Sequence, residues 1–185
     1  MEPFKVHTPA SAPAGSGEIL GAMHKQNGFV PNLYGIMAAS PQVVKAYDEL
    51  NSLFMETSFT TVEKNVVLLA VSSVNECHYC MSIHSMVAEM FKVPADVIES
   101  LRNNKPIESD PKLEALRKFA ITMTETRGWP SPDEVDDFLS AGYTKEQILE
   151  LIVGIAQKTI SNYVNHIAQT PLDEPVKPYK WEPAE

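Results

Sequence analysis

Apolar residues recur along most of the chain with a helical period, and no stretch alternates between apolar and polar residues as a half-buried strand would. Helix starts are marked in two ways. Ser40 and Asp110 each precede a proline, which is favoured at the first helical position. Three further segments have the spacing of capping boxes, in which two side chains satisfy free N–H groups reciprocally: Thr60 to Glu63, Ser131 to Glu134 and Thr144 to Gln147.

These signals predict an all-α protein, a compact bundle of about eight or nine helices. We expect a single domain over residues 1–185, with extended arms at about 1–15 and 171–185, where Pro-rich segments lack a helical period. In the second arm, Tyr179 and Trp181 are expected to pack on the same or a neighbouring subunit. The predicted helices span about 17–27, 32–38, 41–56, 61–74, 76–91, 94–103, 111–127, 132–140 and 145–169.

Two of these helices have faces that indicate how they pack. The run from Val66 to Val71 is apolar on all sides, which predicts a helix buried nearly all round. The last helix carries a stripe at helical spacing that changes from isoleucine to polar residues. We expect this stripe to be buried, either lining a wet pocket or meeting another subunit. Its members are Ile148, Ile152, Ile155, Thr159, Asn162 and His166.

Both cysteines of the chain and two of its five histidines lie within ten residues of each other. In a helix, Cys77, Cys80 and His84 fall within roughly 60° of one another. Asn75 is expected to cap this helix, which would put Cys77 in the first turn, where the helix dipole favours a thiolate. His84, four residues after Cys80, is placed to accept its proton. His78 is rotated away by about 100° and is expected to face solvent.

Charge and composition narrow the possible functions. The net charge is −9, and 44% of residues are hydrophobic, which argues against a nucleic-acid or anionic-membrane binder. The N-terminus lacks the blocks of a signal peptide, and the longest aliphatic run is too short to cross a bilayer, so we expect a cytoplasmic protein. In that reducing compartment a CxxC pair is more often catalytic or metal-binding than a structural disulfide.

Less specific interpretations of the same residues stay open. Cys80 and His84 could be ordinary core residues, because buried free cysteines are common. A zinc site would need a fourth ligand, which His24 or His166 could supply. Glu63 could feed a proton relay, although its place in a capping box already explains it.

The segment from Glu63 to His84 resembles the signature of the alkylhydroperoxidase D and carboxymuconolactone decarboxylase superfamily, in which C-x-x-C-x-x-x-H follows an apolar helix. The segment 162–166 looks like part of the last helix of similar proteins. The resemblance implies an all-helical homo-oligomer whose dithiol reduces hydroperoxides and is re-reduced by a lipoyl-type or thioredoxin-like thiol donor. We expect no metal and no cofactor.

Carried over residue by residue, Cys77 and Cys80 are the redox pair and His84 is the proton-relay histidine. Tyr79 stands where the alkylhydroperoxidase branch has a histidine, and Asn65 stands where that branch has a glutamate; both are possible relay or pocket residues, as are Glu63 and His166. The decarboxylase branch acts on a lactone without needing a cysteine pair, so the intact CxxC favours the peroxidase side.

The sequence therefore predicts a thiol peroxidase in which Cys80 attacks the peroxide and Cys77 resolves the product to a disulfide, although the order of the cysteines could be reversed. Two alternatives remain, a lyase of the decarboxylase type and a Cys/His zinc or redox-sensor protein without turnover.

Overall fold

The computed structural model describes residues 2–183, and these contain helices but no strand. Nine α-helices occur in the order α1 to α9: Gly17–Asn27, Asn32–Met37, Pro41–Glu56, Thr61–Val74, His78–Met90, Ala95–Arg102, Pro111–Glu125, Pro132–Ser140 and Lys145–Ala168. A 3₁₀ helix follows at Glu174–Tyr179. The predicted all-α fold is confirmed, and so are the three capping boxes at the starts of α4, α8 and α9.

Helix α4 is the centre of the bundle and packs against α5, α6, α7 and α9. Its run from Val66 to Val71 is buried on every side, as the all-round apolar pattern predicts. Burial of each such aliphatic side chain contributes roughly 1.5–3 kcal/mol to stability. Since α5 follows α4 after a tight corner, the position of α5 is determined by the most deeply buried helix of the fold.

A second, smaller core lies beside the first and contains Tyr79 and both cysteines. Leu20, Leu33, Tyr34 and Tyr47 pack around them, so residues from α1, α2 and α3 enclose the beginning of α5. The cysteines are therefore part of a packed interior, and their chemistry depends on what this core contains.

Helix α9 crosses both cores with a face that differs from the predicted one. Its buried residues include Gly154, Lys158, Ser161 and Asn165, whereas Ile152 and His166 of the predicted stripe are exposed. Gly154 allows the close approach, because a Cβ there would lie 2.7 Å from Cε2 of Phe54 in α3. The small and polar face of α9 therefore points inward, and of the polar residues in the predicted stripe Asn162 is buried.

The C-terminal segment, for which the sequence predicts an extended tail, forms the 3₁₀ helix and then packs on the same chain. Trp181 is buried, and its Nε1 donates to the carbonyl oxygen of Arg102 at 2.6 Å. Residues 1, 184 and 185 of the predicted arms lie outside the described residues. Within the described part of the chain, no helix combines the length and hydropathy that crossing a bilayer requires.

Candidate active site

The tight corner between α4 and α5 determines where Cys77 lies. Glu76 adopts a left-handed conformation with φ of 50°, and the N–H groups of Glu76 and Cys77 donate to the carbonyls of Ser73 and Ser72 at 3.0 Å. This is the double hydrogen bond of a Schellman motif, with a glutamate in the position usually taken by glycine. The corner ends α4 and delivers Cys77 directly to the start of α5.

The prediction that Asn75 caps α5 is wrong. Asn75 is the C-cap of α4, and the N-cap of α5 is Cys77, whose side chain makes no capping hydrogen bond. The left-handed turn at Glu76 moves the helix start beyond Asn75. The Asn75 amide instead donates to Oδ1 of Asn162 in α9 at 2.8 Å.

Cys77 and Cys80 are free thiols, both buried, and their sulfurs share a hydrogen bond. The Asn165 amide donates to both sulfurs, at 3.2 Å to Cys80 and 3.7 Å to Cys77. Ser161 Oγ lies 3.7 Å from the Cys80 sulfur. Two residues of α9 thus contact the dithiol at the start of α5.

The two thiols have opposite pKa shifts. Burial acts to raise the pKa of Cys80, but the hydrogen bond from Cys77, the positive charge of Lys158 and the contact with Ser161 outweigh burial and bring this pKa well below its ordinary value. The hydrogen bond to Cys80, followed by burial, raises the pKa of Cys77. The prediction that the Cys77 thiol is acidified is therefore wrong, because Lys158 and the hydrogen-bond pattern favour the anion at Cys80.

Lys158 is fully buried in α9, and its ammonium nitrogen has no hydrogen-bond partner among residues 2–183. An unpaired ammonium group away from water is costly, so it gains most from a neighbouring anion. The positive charge of Lys158 favours the anionic form of Cys80, which is one reason why the pKa of this thiol is low.

His84 is half-buried, on the same helix as Cys80, and both residues line one cavity, which is described below. Burial, and then the charge of Lys158, lower the pKa of His84 well below its ordinary value. His84 is therefore neutral at pH 7. Its buried Nδ1 finds no hydrogen-bond partner in the part of the chain that the structure describes.

A cavity of about 740 Å³ reaches Cys80 from the side of α3. Its lining includes Cys80, His84 and Asn65, whose Oδ1 is buried and has no partner within residues 2–183. Three tyrosines, Leu33, Ile83 and Val87 contribute further lining, and the tyrosines are Tyr34, Tyr47 and Tyr79. The cavity thus combines a largely apolar and aromatic wall with a few polar atoms close to the acidic thiol.

Tyr79, one of the two departures from the alkylhydroperoxidase motif, is held by the C-terminal segment. Its hydroxyl donates to Oδ2 of Asp173 at 2.6 Å, and Oδ1 of Asp173 accepts from the N–H of Asn32 at 2.9 Å. Burial, and then the charge of Asp173, raise the pKa of Tyr79. Tyr79 is therefore neutral and held in place, and it lies between the cavity at Cys80 and the groove at Cys77.

Two of the candidate residues lie apart from the Cys80 cavity. Glu63 completes the capping box with Thr60, lies 3.4 Å from the Lys112 ammonium, and does not line that cavity. His166 is exposed and lines a separate groove of about 410 Å³ beside Cys77. Within residues 2–183, no three His, Cys, Asp or Glu side chains come together as a metal site, so the zinc interpretation finds no ligand set.

Comparison with known proteins agrees with this geometry. The model of the carboxymuconolactone decarboxylase family matches residues 41–122, which include the Cys77, Cys80 and His84 motif. A crystal structure described as an alkylhydroperoxidase AhpD core, an uncharacterized peroxidase-related protein from Ralstonia eutropha JMP134, superposes with a TM-score of 0.83 at 19% identity, over 95% of this chain and 96% of that one. The chain is therefore similar to the carboxymuconolactone decarboxylase family over residues 41–122, and it has the fold of the alkylhydroperoxidase AhpD core.

Two other structures of this fold are similar. An uncharacterized peroxidase-related protein from Silicibacter sp. TM1040 has a TM-score of 0.78 at 18% identity, and the match covers 95% of each chain. The debrominase Bmp8, as a cysteine-to-alanine variant in complex with 2,3,4-tribromopyrrole, has a TM-score of 0.78 at 18% identity, over 95% of this chain and 94% of that one. No curated protein matches the sequence.

The sequence motif does not include Lys158, Ser161 and Asn165, which contact or polarise the cysteines. They lie in α9, beyond the segment that the family model matches. The signal was nevertheless present, because Gly154, Lys158, Ser161 and Asn165 recur at helical spacing along the helix. A stripe of small and polar residues was the buried face here, since the buried dithiol requires polar partners.

Proposed function

We propose that this chain is a dithiol oxidoreductase that reduces organic hydroperoxides, with Cys80 as the attacking thiolate and Cys77 as the resolving thiol. The single observation that carries the proposal is the pairing of a buried thiolate with a buried lysine at the end of a cavity. A cysteine whose pKa is lowered in a sheltered site is typical of redox catalysis and unusual for core packing.

In the first step, the Cys80 thiolate attacks the terminal oxygen of the hydroperoxide. A sulfur–oxygen bond forms, the oxygen–oxygen bond breaks, and the alkoxide leaves with a proton as the alcohol. Cys80 is oxidised to a sulfenic acid and the peroxide is reduced. The positive charge of Lys158 stabilises the thiolate before attack, and the Asn165 amide holds the sulfur in place.

In the second step, the Cys77 sulfur attacks the Cys80 sulfenic acid. The disulfide forms, and hydroxide leaves with the Cys77 proton as water. The hydrogen bond between the two sulfurs already places them in contact. One hydroperoxide and two thiols thus give one alcohol, one water and one disulfide, and a dithiol donor returns the pair to the reduced state.

The unpartnered polar atoms of the cavity support a polar substrate group near Cys80. Nδ1 of His84 and Oδ1 of Asn65 are buried and lack partners among residues 2–183. The two oxygens of a hydroperoxide, one of them an O–H donor, would satisfy such atoms, while the apolar wall accepts an organic chain or ring.

The proposal is tested by counting thiols while peroxide is consumed. Reduced protein treated with equimolar cumene hydroperoxide is expected to lose both thiols and to consume one peroxide per chain. Dithiothreitol should restore two thiols, and the cycle should repeat. Free thiols are measured with a chromogenic disulfide and the remaining peroxide by ferrous oxidation.

Hydrogen peroxide at the same concentration is a suitable comparison, because it lacks the organic group that the apolar cavity would accept. Thiols that survive cumene hydroperoxide unchanged would overturn the peroxidase proposal. If they are then oxidised by a halogenated aromatic compound, with halide released, the same dithiol is reducing a different electron acceptor.

We further propose that the protein is a homo-oligomer that pairs along the outer face of α9. Leu149, Ile152, Tyr163 and Ile167 are exposed and, at 100° per residue, fall within roughly 60° of one another. Such a continuous apolar stripe is typical of a contact surface. Light scattering at micromolar concentration is expected to give a multiple of the 20.5 kDa chain mass, whereas Ile152→Glu should lower it; a monomeric wild-type mass would contradict the proposal.

A further inference from the structure

The dithiol lies between two separate openings. Cys80 lines the cavity of about 740 Å³, and Cys77 lines the separate groove of about 410 Å³. Tyr79 lines both and separates them, held in place by Asp173. Each cysteine therefore has its own approach, and the two approaches differ in chemistry.

The groove at Cys77 is polar. It is formed by the α4–α5 corner on one side and the end of α9 on the other, with the residues Asn75, Glu76, Cys77, His78, Tyr79, Asn165, His166, Gln169 and Thr170. Oδ1 of Asn165, a side chain that is 5% exposed, and Oγ1 of Thr170 have no hydrogen-bond partner among residues 2–183. Buried polar atoms without partners indicate a place where a polar group can bind.

We propose that this groove is the docking site of the thiol reductant, so that peroxide and reductant reach the dithiol through different openings. The inference rests on the proposed function, because it identifies the site at which the oxidised dithiol of the catalytic cycle is reduced again. The occupant is a small dithiol, whose amide or hydroxyl groups would pair with Asn165 and Thr170.

The chemistry of exchange agrees with this direction of approach. A reductant thiolate in the groove attacks the Cys77 sulfur of the disulfide, forms a mixed disulfide with it, and expels Cys80 as a thiolate. Cys80 is the better leaving group, because Lys158 lowers its pKa, and the thiol of lower pKa leaves faster. The second thiol of the reductant then attacks the mixed disulfide, releases Cys77 and is itself oxidised to a disulfide.

Cys77 lies beneath the groove floor and is fully covered. The approaching thiol therefore has to displace side chains at the rim. Gln169, the left-handed C-cap of α9, and His166 are exposed there, at a helix end that opens more easily than the helix interior.

The experiment blocks one opening at a time with a tryptophan at its rim. Gln169→Trp fills the rim of the groove, and Ser52→Trp fills the rim of the Cys80 cavity; both positions are exposed, so the fold should tolerate the change. Each protein is oxidised with diamide and its re-reduction by dihydrolipoamide is timed. Oxidation of the reduced protein by cumene hydroperoxide is timed separately.

We expect Gln169→Trp to slow re-reduction at least tenfold more than it slows oxidation by peroxide, and Ser52→Trp to show the opposite ratio. Re-reduction slowed by Ser52→Trp and not by Gln169→Trp would overturn the proposal, because the reductant would then enter through the Cys80 cavity. Since diamide forms the disulfide without peroxide, the groove is tested even if the peroxidase function fails.

Discussion

Replacement of Cys80 by serine is expected to lower the rate of hydroperoxide consumption by at least about 1,000-fold. Serine keeps the size of the side chain but removes the thiolate that attacks the oxygen, and no other described group in the cavity is an acidified nucleophile. Cys77→Ser is expected to behave differently. It should react once, leave Cys80 as a sulfenic acid, and then stop, since the resolving thiol is missing.

These two outcomes are distinguished by trapping the sulfenic acid with dimedone and locating the adduct by mass spectrometry. The adduct is expected on Cys80 of Cys77→Ser, and no adduct is expected in Cys80→Ser. Met90→Ala is a matched control, because Met90 lies on the same helix, is exposed and lines neither opening. A dimedone adduct on Cys77 of Cys80→Ser would show that the assignment of the two cysteines is reversed.

The fold was largely predictable because helix starts are local events. A capping box such as Thr60 to Glu63 requires four consecutive residues and no tertiary contact, and the structure forms it as predicted. The corner before Cys77 was not predictable in this way. It depends on a glutamate taking a left-handed conformation that usually marks glycine, so the sequence contains no signal for it.

The candidate site was predictable as a set of residues but not in its electrostatics. The spacing of Cys77, Cys80 and His84 correctly indicated that Cys80 and His84 share one cavity. The order of the two thiol pKa values depends on Lys158, which is 78 residues from Cys80 in the chain and reaches it only through the packing of α9 on α5. A rule based on the helix start alone therefore favoured the wrong thiol.

The buried face of α9 was predicted only in part, for a related reason: Ile148 and Ile155 pack against the core as predicted, whereas Ile152 is exposed. The usual rule places the apolar stripe inward, yet here the apolar residues Leu149, Ile152 and Ile167 are exposed and polar residues are buried. This rule fails where a buried polar site needs polar partners from the inner face of the helix and a second protein surface covers the apolar residues of its outer face. The buried thiolate that we propose meets the first condition, and the oligomer that we propose meets the second.

Replacement of Lys158 by methionine is expected to slow the oxidation of Cys80 at least tenfold at about pH 6, with a smaller loss in alkaline solution. Methionine keeps most of the length of lysine but removes its charge. Burial would then raise the pKa of Cys80 with less to oppose it, so that a smaller fraction is thiolate at low pH. The oxidation rate therefore falls most at the pH values where the Cys80 thiol has become protonated, and the pH profile of the rate moves to higher pH.

The measurement is a single-turnover oxidation by cumene hydroperoxide from about pH 5 to about pH 9, together with the ultraviolet absorbance of the thiolate. Lys158→Arg retains the charge and should keep most of the low-pH rate. Lys64→Met removes the same charge at the rim of the cavity, where the Lys64 ammonium donates to the Met55 carbonyl, and should leave the profile in place. Methionine is close to lysine in size, and Cys80 can take up a proton once the positive charge is lost, so the variant should still fold. A folded Lys158→Met protein with the wild-type pH profile would show that Lys158 does not hold Cys80 as a thiolate, and a role for this lysine in packing alone would follow.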